Sequence, residues 1–417
     1  MSNLALLGGN PVSSKDLSSL VSWPPVKDST GEKLLALYHS KNWGFGNNVE
    51  EEFAQAFANY QGAKHGILMA NGTVTLESAM RALGIGPGDE VIVPAFTWLS
   101  TAMAVSYLGA TPVIVDVEKD TLCIDPEKVR AALSPKTKAI IPVHIYSSMA
   151  DMDAILAIAK EHDLKVIEDC AQMPGGMWDG KGVGSMGDVG SFSFQQAKHL
   201  ASGEGGICIT NDDALAERLY RLKHIGYGPG VAQGLADSGP EEGLTCRNYR
   251  ITAFQALVLN EQLNDFPKLL EQHRDSIDYI ASRLLSSTNI RVQQHGRKAT
   301  AKSYYVWPLI FDHADFDGIS MNTLLEALKA EGLPLVKTAA PVHQHVLFNL
   351  NKNLYRMDSG GCPIAEVAHD RSLALYHQWL ILERPVIEKI CDIIIKVANN
   401  CDHLRAYQDS DMEMEMA

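Results

Sequence analysis

The feature that most constrains the fold is an alternation of short apolar runs with helical patterns between residues 50 and 225. Most of the apolar runs have no polar alternation, which is typical of strands buried on both faces of a sheet. Strands that alternate with helices predict an α/β fold with a mostly parallel, seven-stranded sheet and helices on both faces. The apolar runs are 66–70, 90–93, 112–117, 138–143, 164–168, 189–194 and 206–210, and helical patterns between them cover 73–83, 126–133 and 151–162.

The second half of the chain has a different pattern. A long helical pattern over 251–286, interrupted near Pro267, is followed by an apolar run at 303–311 and by helical patterns at 320–331 and 386–399. The chain of 417 residues also exceeds the ~250–300 residues that one core usually reaches. We therefore predict a large domain with an N-terminal segment over 1–265, a smaller C-terminal α+β domain over 266–408 and a disordered tail over 409–417.

Composition excludes several classes of protein. The formal net charge of −14 opposes binding to a phosphate backbone, so no nucleic acid is expected as a partner. Seven scattered cysteines without a CxxC pair indicate reduced thiols and a cytoplasmic location. The N-terminal residues do not resemble an export signal, and no apolar run approaches a membrane span, so no membrane association is expected. We predict no bound metal.

Candidate site residues follow the apolar runs, because ligands of such sheets bind at the carboxyl ends of the strands. Asn71, Gly72 and Thr73 form a turn that opens a helix, where backbone N–H groups bind phosphate or a simple N-cap forms. Trp98 is either a core residue or a stacking platform. Asp169, after 164–168, is either a helix cap or the partner of a cation. Lys198, before a glycine-rich turn, is either a solvated lysine or a nucleophile.

These four features complement one another. A phosphate-binding turn, an aromatic platform, a carboxylate for a protonated ring nitrogen and a lysine amine together match pyridoxal 5′-phosphate (PLP). The lysine forms the Schiff base, and the carboxylate keeps the pyridine protonated so that the ring accepts electrons. The pattern as a whole favours a PLP enzyme, although each residue alone has a structural interpretation.

The chain resembles the DegT/StrS family of PLP-dependent sugar aminotransferases over about residues 20–400. Within that family it is most similar to the inosose (cyclitol ketone) aminotransferases, whose lysine segment likewise reads QQxK followed by SGEGG. The resemblance rests on the segments at 71–98, 116–129, 138–153, 166–172, 191–206 and 248–263, with SLALYHQWLI at 372–381 similar to a C-terminal segment of the inosose enzymes.

The resemblance implies the type I, aspartate aminotransferase-like fold and a role for each matching residue. Lys198 would hold PLP covalently and then carry a proton, and Asp169 would hold the ring nitrogen. Gln172 would contact the ring hydroxyl, and Trp98 would stack on the ring. The phosphate would be bound by the turn at 71–73, by Ser193 and by Asn248 of the neighbouring subunit, which makes a homodimer with a shared active site part of the prediction.

The resemblance further implies ping-pong transamination, with pyridoxamine 5′-phosphate formed during turnover. L-Glutamine or L-glutamate would donate the amine to a keto-cyclitol or keto-sugar, in the biosynthesis of an aminocyclitol or amino sugar. A polyol acceptor needs hydrogen-bond donors and an amino acid needs a cation, so substrate candidates are Trp43, His144, Arg250 and His377. A nucleotide-linked keto-sugar aminotransferase and a non-catalytic sensor or scaffold of the same fold stay open as alternatives. A PLP dehydratase or deoxygenase is a third, which the presence of Lys198 disfavours because such relatives usually have a histidine there.

Overall fold

The computed structural model describes residues 4–415, apart from 45–46, 233, 236–238, 349–351 and 358–359. The helices within these ranges are α1 Asp28–Ser40, α2 Asn48–Gln61, α3 Gly72–Ala82, α4 Ser100–Tyr107, α5 Pro126–Ala132, α6 Met152–Glu161, α7 Asp213–Lys223, α8 Ala253–Leu263, α9 Phe266–Leu285, α10 Met321–Ala330, α11 Pro363–Asp370, α12 Arg384–Ala398 and α13 Cys401–Glu415. The strands are β1 His65–Met69, β2 Glu90–Pro94, β3 Thr111–Val115, β4 Thr137–Ile140, β5 Lys165–Asp169, β6 Met177–Trp178, β7 Lys181–Gly182, β8 Val189–Ser193, β9 Gly206–Thr210, β10 Arg291–Val292, β11 Ala299–Ala301, β12 Val306–Ile310, β13 Val336–Lys337, β14 Arg356–Met357 and β15 Ser372–Tyr376.

The main sheet has the order β1-β9-β8-β5-β4-β2-β3-β14. Strand β9 is antiparallel to both of its neighbours, and the other pairings are parallel. Seven of its eight strands are the predicted apolar runs. The eighth, β14, is a two-residue edge strand without an apolar signal, and Arg356 in it bonds Glu90 of β2 at 2.9 Å. The predicted α/β sheet is therefore confirmed, with one short strand more than expected.

Apolar residues form two clusters of buried side chains. The larger cluster surrounds the main sheet, and the smaller one lies around the antiparallel sheet β10-β12-β15-β13 and helices α9, α10 and α12. Leu4 and Leu17 belong to the smaller cluster, so the N-terminal segment packs against the C-terminal half of the chain. The division near residue 265 stays a prediction.

The predicted interruption of the long helical pattern lies at residues 264–265, between α8 and α9. Pro267 occupies the first turn of α9. Backbone N–H groups of the first turn have no acceptor within the helix, so the N–H that proline lacks costs no hydrogen bond there. At the other end of the chain, α13 extends to Glu415, into the segment that the sequence predicts to be disordered. Within the described residues, no helix is both long enough and apolar enough to cross a lipid bilayer.

Candidate active site

Asp169 ends β5 and lies at the centre of the site. Its carboxylate is 5% exposed and accepts hydrogen bonds from the Thr101 hydroxyl at 2.9 Å and from the Ala171 N–H at 3.2 Å. Burial raises the pKa of Asp169, while these hydrogen bonds and the charge of Lys198 oppose the rise. A carboxylate that is removed from water and fixed on two donors is suited to pairing with a cation.

Lys198 lies on a loop that follows β8, and we call residues 194–205 the lysine loop. Backbone hydrogen bonds close this loop between Phe194 and Gly205 and between Gln196 and Gly203, which has a left-handed φ of +82°. Burial lowers the pKa of Lys198 to about 8, although the charge of Asp169 acts in the opposite direction. The lysine Nζ lies 4.0 Å from the centre of the Tyr305 ring. The amine is therefore closer to neutral at physiological pH than an exposed lysine.

The turn after β1 is an N-cap as well as a candidate phosphate site. Asn71 has an extended backbone, and its Oδ1 accepts the N–H groups of Thr73 at 3.1 Å and Val74 at 3.0 Å. The Thr73 hydroxyl donates to Ser100 Oγ at 3.1 Å, which connects α3 to α4. The cap thus engages the Thr73 amide, and the role of that amide in binding phosphate stays a prediction.

Gly72 and Ser193 form a close contact that a larger residue would fill. A Cβ at position 72 would lie 2.7 Å from Ser193 Cβ and 3.2 Å from its Oγ. The first residue of α3 is therefore a glycine because the end of β8 approaches its backbone. This places a helix N-terminus and a serine hydroxyl beside each other, and both groups suit a phosphate oxyanion. The residues present fit PLP.

A model of the DegT/DnrJ/EryC1/StrS aminotransferase family matches residues 26–394. The chain belongs to this family. The match covers more than half of the chain and includes every predicted cofactor residue. The predicted family and enzyme class are therefore confirmed, and the protein is an aminotransferase.

Relatives and solved structures agree with this membership. An L-glutamine:2-deoxy-scyllo-inosose aminotransferase of Streptoalloteichus tenebrarius is 34% identical over 97% of this chain and 99% of its own length. An enzyme of the same name from Streptomyces kanamyceticus is 36% identical over 84% of this chain and 83% of its own length. The crystal structure of 3-amino-5-hydroxybenzoic acid synthase is 28% identical with a TM-score of 0.82, covering 91% of this chain and 98% of that chain. The predicted fold class is confirmed.

The remaining cofactor candidates of this aminotransferase differ in exposure. Gln172 is 6% exposed, and its Oε1 accepts the Tyr146 N–H at 3.0 Å. Trp98 is 58% exposed and can offer its indole to a ligand. Asn248 has an exposed side chain, and the Ala70 N–H donates to the next carbonyl, that of Tyr249, at 2.9 Å. The segment of Asn248 thus lies beside the Asn71 turn of its own chain, and its reach into a partner subunit stays a prediction.

Two of the predicted substrate residues are fully buried. His144 Nδ1 accepts the Ala150 N–H at 3.2 Å, and its Nε2 lies 3.1 Å from Glu168 Oε2, so both ring nitrogens have protein partners. His377 Nε2 lies 2.9 Å from the carbonyl of Ala197, the residue before Lys198, and burial lowers the pKa of His377 to about 4. These contacts favour positioning roles for both residues instead of direct contact with substrate.

The other two substrate candidates lie nearer the surface. Trp43 is 40% exposed, stacks on Tyr38 with ring centres 5.3 Å apart and donates from Nε1 to the Tyr38 carbonyl at 2.9 Å. Arg250 is half-buried, two residues beyond Asn248. Of the four candidates, these two retain the accessibility that substrate binding requires, and their roles stay predictions.

Sequence reasoning missed Thr101, Tyr305 and the role of Glu168. Thr101 bonds Asp169 from α4, a helix that the apolar pattern did not indicate. Tyr305 approaches Lys198 from the C-terminal half of the chain. Glu168 is fully buried and accepts N–H groups from Gly184, Met186 and Gly187 at 2.7–2.8 Å. Of these three residues, only Glu168 had a signal in the sequence, namely two adjacent carboxylates at the end of a buried strand.

Proposed function

We propose that this aminotransferase uses PLP to move the amino group of L-glutamine or L-glutamate to a keto-cyclitol of the inosose type. The observation that supports the cofactor most strongly is the buried Asp169 carboxylate, fixed by Thr101 and electrostatically coupled to Lys198. When bound, PLP supplies an electrophilic carbon that joins an amine and a ring that withdraws electrons from it.

Each residue of the site has a distinct task in this proposal. Asp169 holds the ring nitrogen in its protonated form, and its burial strengthens that ion pair. Lys198, with its pKa of about 8, has enough neutral amine near pH 7 to act as a nucleophile and as a proton carrier. Gly72 and Ser193 would hold the phosphate, Trp98 would stack on the ring and Gln172 would contact the ring hydroxyl.

Relatives of this chain support a cyclitol ketone as the acceptor. Those from Streptoalloteichus tenebrarius and Streptomyces kanamyceticus are named for 2-deoxy-scyllo-inosose, and relatives of similar identity carry the name of an amino-substituted dideoxy-inosose. Both compounds are polyhydroxylated cyclic ketones without a nucleotide. We therefore propose an unlinked cyclitol ketone as acceptor, a ping-pong reaction through pyridoxamine 5′-phosphate and a place in aminocyclitol biosynthesis.

To test this proposal, purified enzyme is incubated with a donor that carries ¹⁵N at its α-amino group. The donor is either glutamine or glutamate. Each donor is paired with a panel of inososes and nucleotide-linked keto-sugars, and products are followed by mass spectrometry. We expect an inosose amine that carries the label and that does not form with Lys198→Ala. Amination of nucleotide-linked sugars alone would refute the acceptor, and a wild-type enzyme that binds no PLP would refute the cofactor.

A further inference from the structure

Three buried histidines, one of them in the lysine loop, lie close together, and we call them the histidine cluster. His199 follows Lys198, His273 lies in α9 and His377 follows β15. Their side chains are 0–1% exposed, and one ring nitrogen from each lies within 4.8 Å of the others. The PLP chemistry proposed above uses none of these nitrogens, so the cluster requires its own explanation.

Four ring nitrogens of the cluster have no hydrogen-bond partner among the residues that the structure describes. They are Nδ1 of His199, both nitrogens of His273 and Nδ1 of His377. A buried polar atom without a partner loses its hydration and gains nothing in return, which destabilises the fold. Several such atoms in one buried cluster suit a group that binds all three rings.

The outer nitrogens of two rings are already held. His377 Nε2 bonds the Ala197 carbonyl at 2.9 Å, and His199 Nε2 lies 3.3 Å from Ser303 Oγ. Histidines that bind a metal typically donate their second N–H to a carbonyl or other acceptor, which fixes the ring and directs the other nitrogen at the ion. In both histidines the nitrogen without a partner is the one that would bind.

A second group in the chain shows the contrast. His144, Glu168 and Cys170 also lie close together and are buried. There, both His144 nitrogens have partners, and both Glu168 oxygens accept backbone N–H groups. That group is satisfied by the protein itself, whereas the histidine cluster is not.

We propose that His199, His273 and His377 bind a zinc ion. Three neutral imidazoles with a fourth position for water are a known zinc ligand set, and Zn–N distances of about 2.0–2.1 Å require the nitrogens to lie roughly 3.5 Å apart. The nitrogens of the cluster lie within 4.8 Å of one another, so binding of the ion would draw the three rings closer together. This departs from the sequence prediction of no metal, because the three histidines are distant in sequence and meet only in the fold.

Zinc at this position would join three separate elements. His199 would anchor the lysine loop to α9 through His273, and His377 would add the segment after β15, which also holds the Ala197 carbonyl next to Lys198. The ion would fix the lysine loop against the C-terminal half of the chain without touching substrate. The proposal concerns metal content and is therefore independent of the identity of the amino acceptor.

The test treats the holoenzyme with a chelator, equilibrates it with buffered Zn²⁺ and measures bound metal by mass spectrometry. We expect about one zinc per wild-type chain and at least a tenfold loss of affinity in His273→Leu, whose side chain fills the space without a ligand. The matched control is His369→Gln, since His369 lies in α11 and bonds the Thr338 carbonyl at 2.9 Å, and it should keep the zinc. Equal zinc in wild type and His273→Leu, or none in wild type, would overturn the proposal.

Two further measurements test the site if His273→Leu does not fold. His199→Asn deletes a second ligand from a different element and should lose zinc equally. Co²⁺ in the wild-type enzyme gives an independent measurement, because imidazole ligands produce the absorption of a four- or five-coordinate Co²⁺ ion. A Co²⁺ spectrum of fully hydrated ion alone would contradict the site in the unmodified protein.

Discussion

At the scale of single residues, burial acts on the two charged members of the site in opposite directions. It raises the pKa of Asp169 and lowers the pKa of Lys198 to about 8, so it favours the neutral form of each. Their mutual attraction opposes both shifts. The protonation of each residue therefore depends on the charge of the other. If a protonated ring nitrogen pairs with the Asp169 carboxylate, that carboxylate stabilises the ammonium form of Lys198 less.

This balance predicts how cofactor capture depends on pH. Only the neutral amine attacks, so the rate at which the apoenzyme joins PLP should rise with pH through a midpoint of about 8 and level off above it. Stopped-flow absorbance over a pH series measures the midpoint. Asp169→Asn removes the charge that holds the proton on Lys198 and should move the midpoint lower. A midpoint near the 10.5 of an ordinary lysine, unchanged in the variant, would contradict the burial of Lys198.

A second prediction at this scale concerns Glu168, whose carboxylate accepts three backbone N–H groups and contacts His144. Glu168→Gln turns one acceptor into a donor that faces buried donors, so the free energy of unfolding should fall by about 3 kcal/mol. Urea unfolding measures the change. Glu161→Gln is the control, because Glu161 forms an exposed ion pair with Arg130 and its loss should lower the free energy of unfolding far less. Equal effects would show that the Glu168 network adds no stability.

At the scale of elements, the sequence predicts the buried strands well and the supporting helices less well. Unbroken apolar runs gave seven strands of the main sheet, because a strand buried on both faces needs apolar residues throughout. Helix α4 was missed because STAMAVSY is short and consists mainly of small residues without an amphipathic period. Its Thr101 and the distant Tyr305 reach the site through tertiary packing, which no local pattern encodes.

The N-terminus of α3 provides the test at this scale. Gly72→Ala places a Cβ 2.7 Å from Ser193 Cβ, so α3 and the end of β8 must separate. We expect weaker binding of PLP by about tenfold or more, because phosphate contacts depend on that approach. Gly86→Ala is the control, since a Cβ there meets no atom of the described part of the chain within 4 Å. Fluorescence titration of the apoenzymes measures the affinities, and equal values for the two variants would remove Gly72 and Ser193 from the phosphate site.

At the scale of the whole molecule, the site combines parts from both halves of the chain. The main sheet supplies Asp169 and the lysine loop, whereas Tyr305 and His377 come from segments flanking β12 and β15, which pair in the antiparallel sheet. The pattern of apolar runs predicted each half separately. It could not predict that the two halves meet at Lys198, because that contact depends on how the layers pack.

The homodimer that the sequence predicts would extend this composition to a second chain, and hybrid dimers test it. In a mixed dimer of Lys198→Ala and Asn248→Ala subunits, one site has the intact Lys198 together with the partner subunit's intact Asn248, and the other site has neither. Half of the dimers in an equal mixture are hybrids, so exchange should restore about a quarter of wild-type activity per subunit if Asn248 acts across a two-fold interface. The control is each variant refolded alone. Activity of the mixture equal to the mean of the two variants would show that Asn248 serves its own chain.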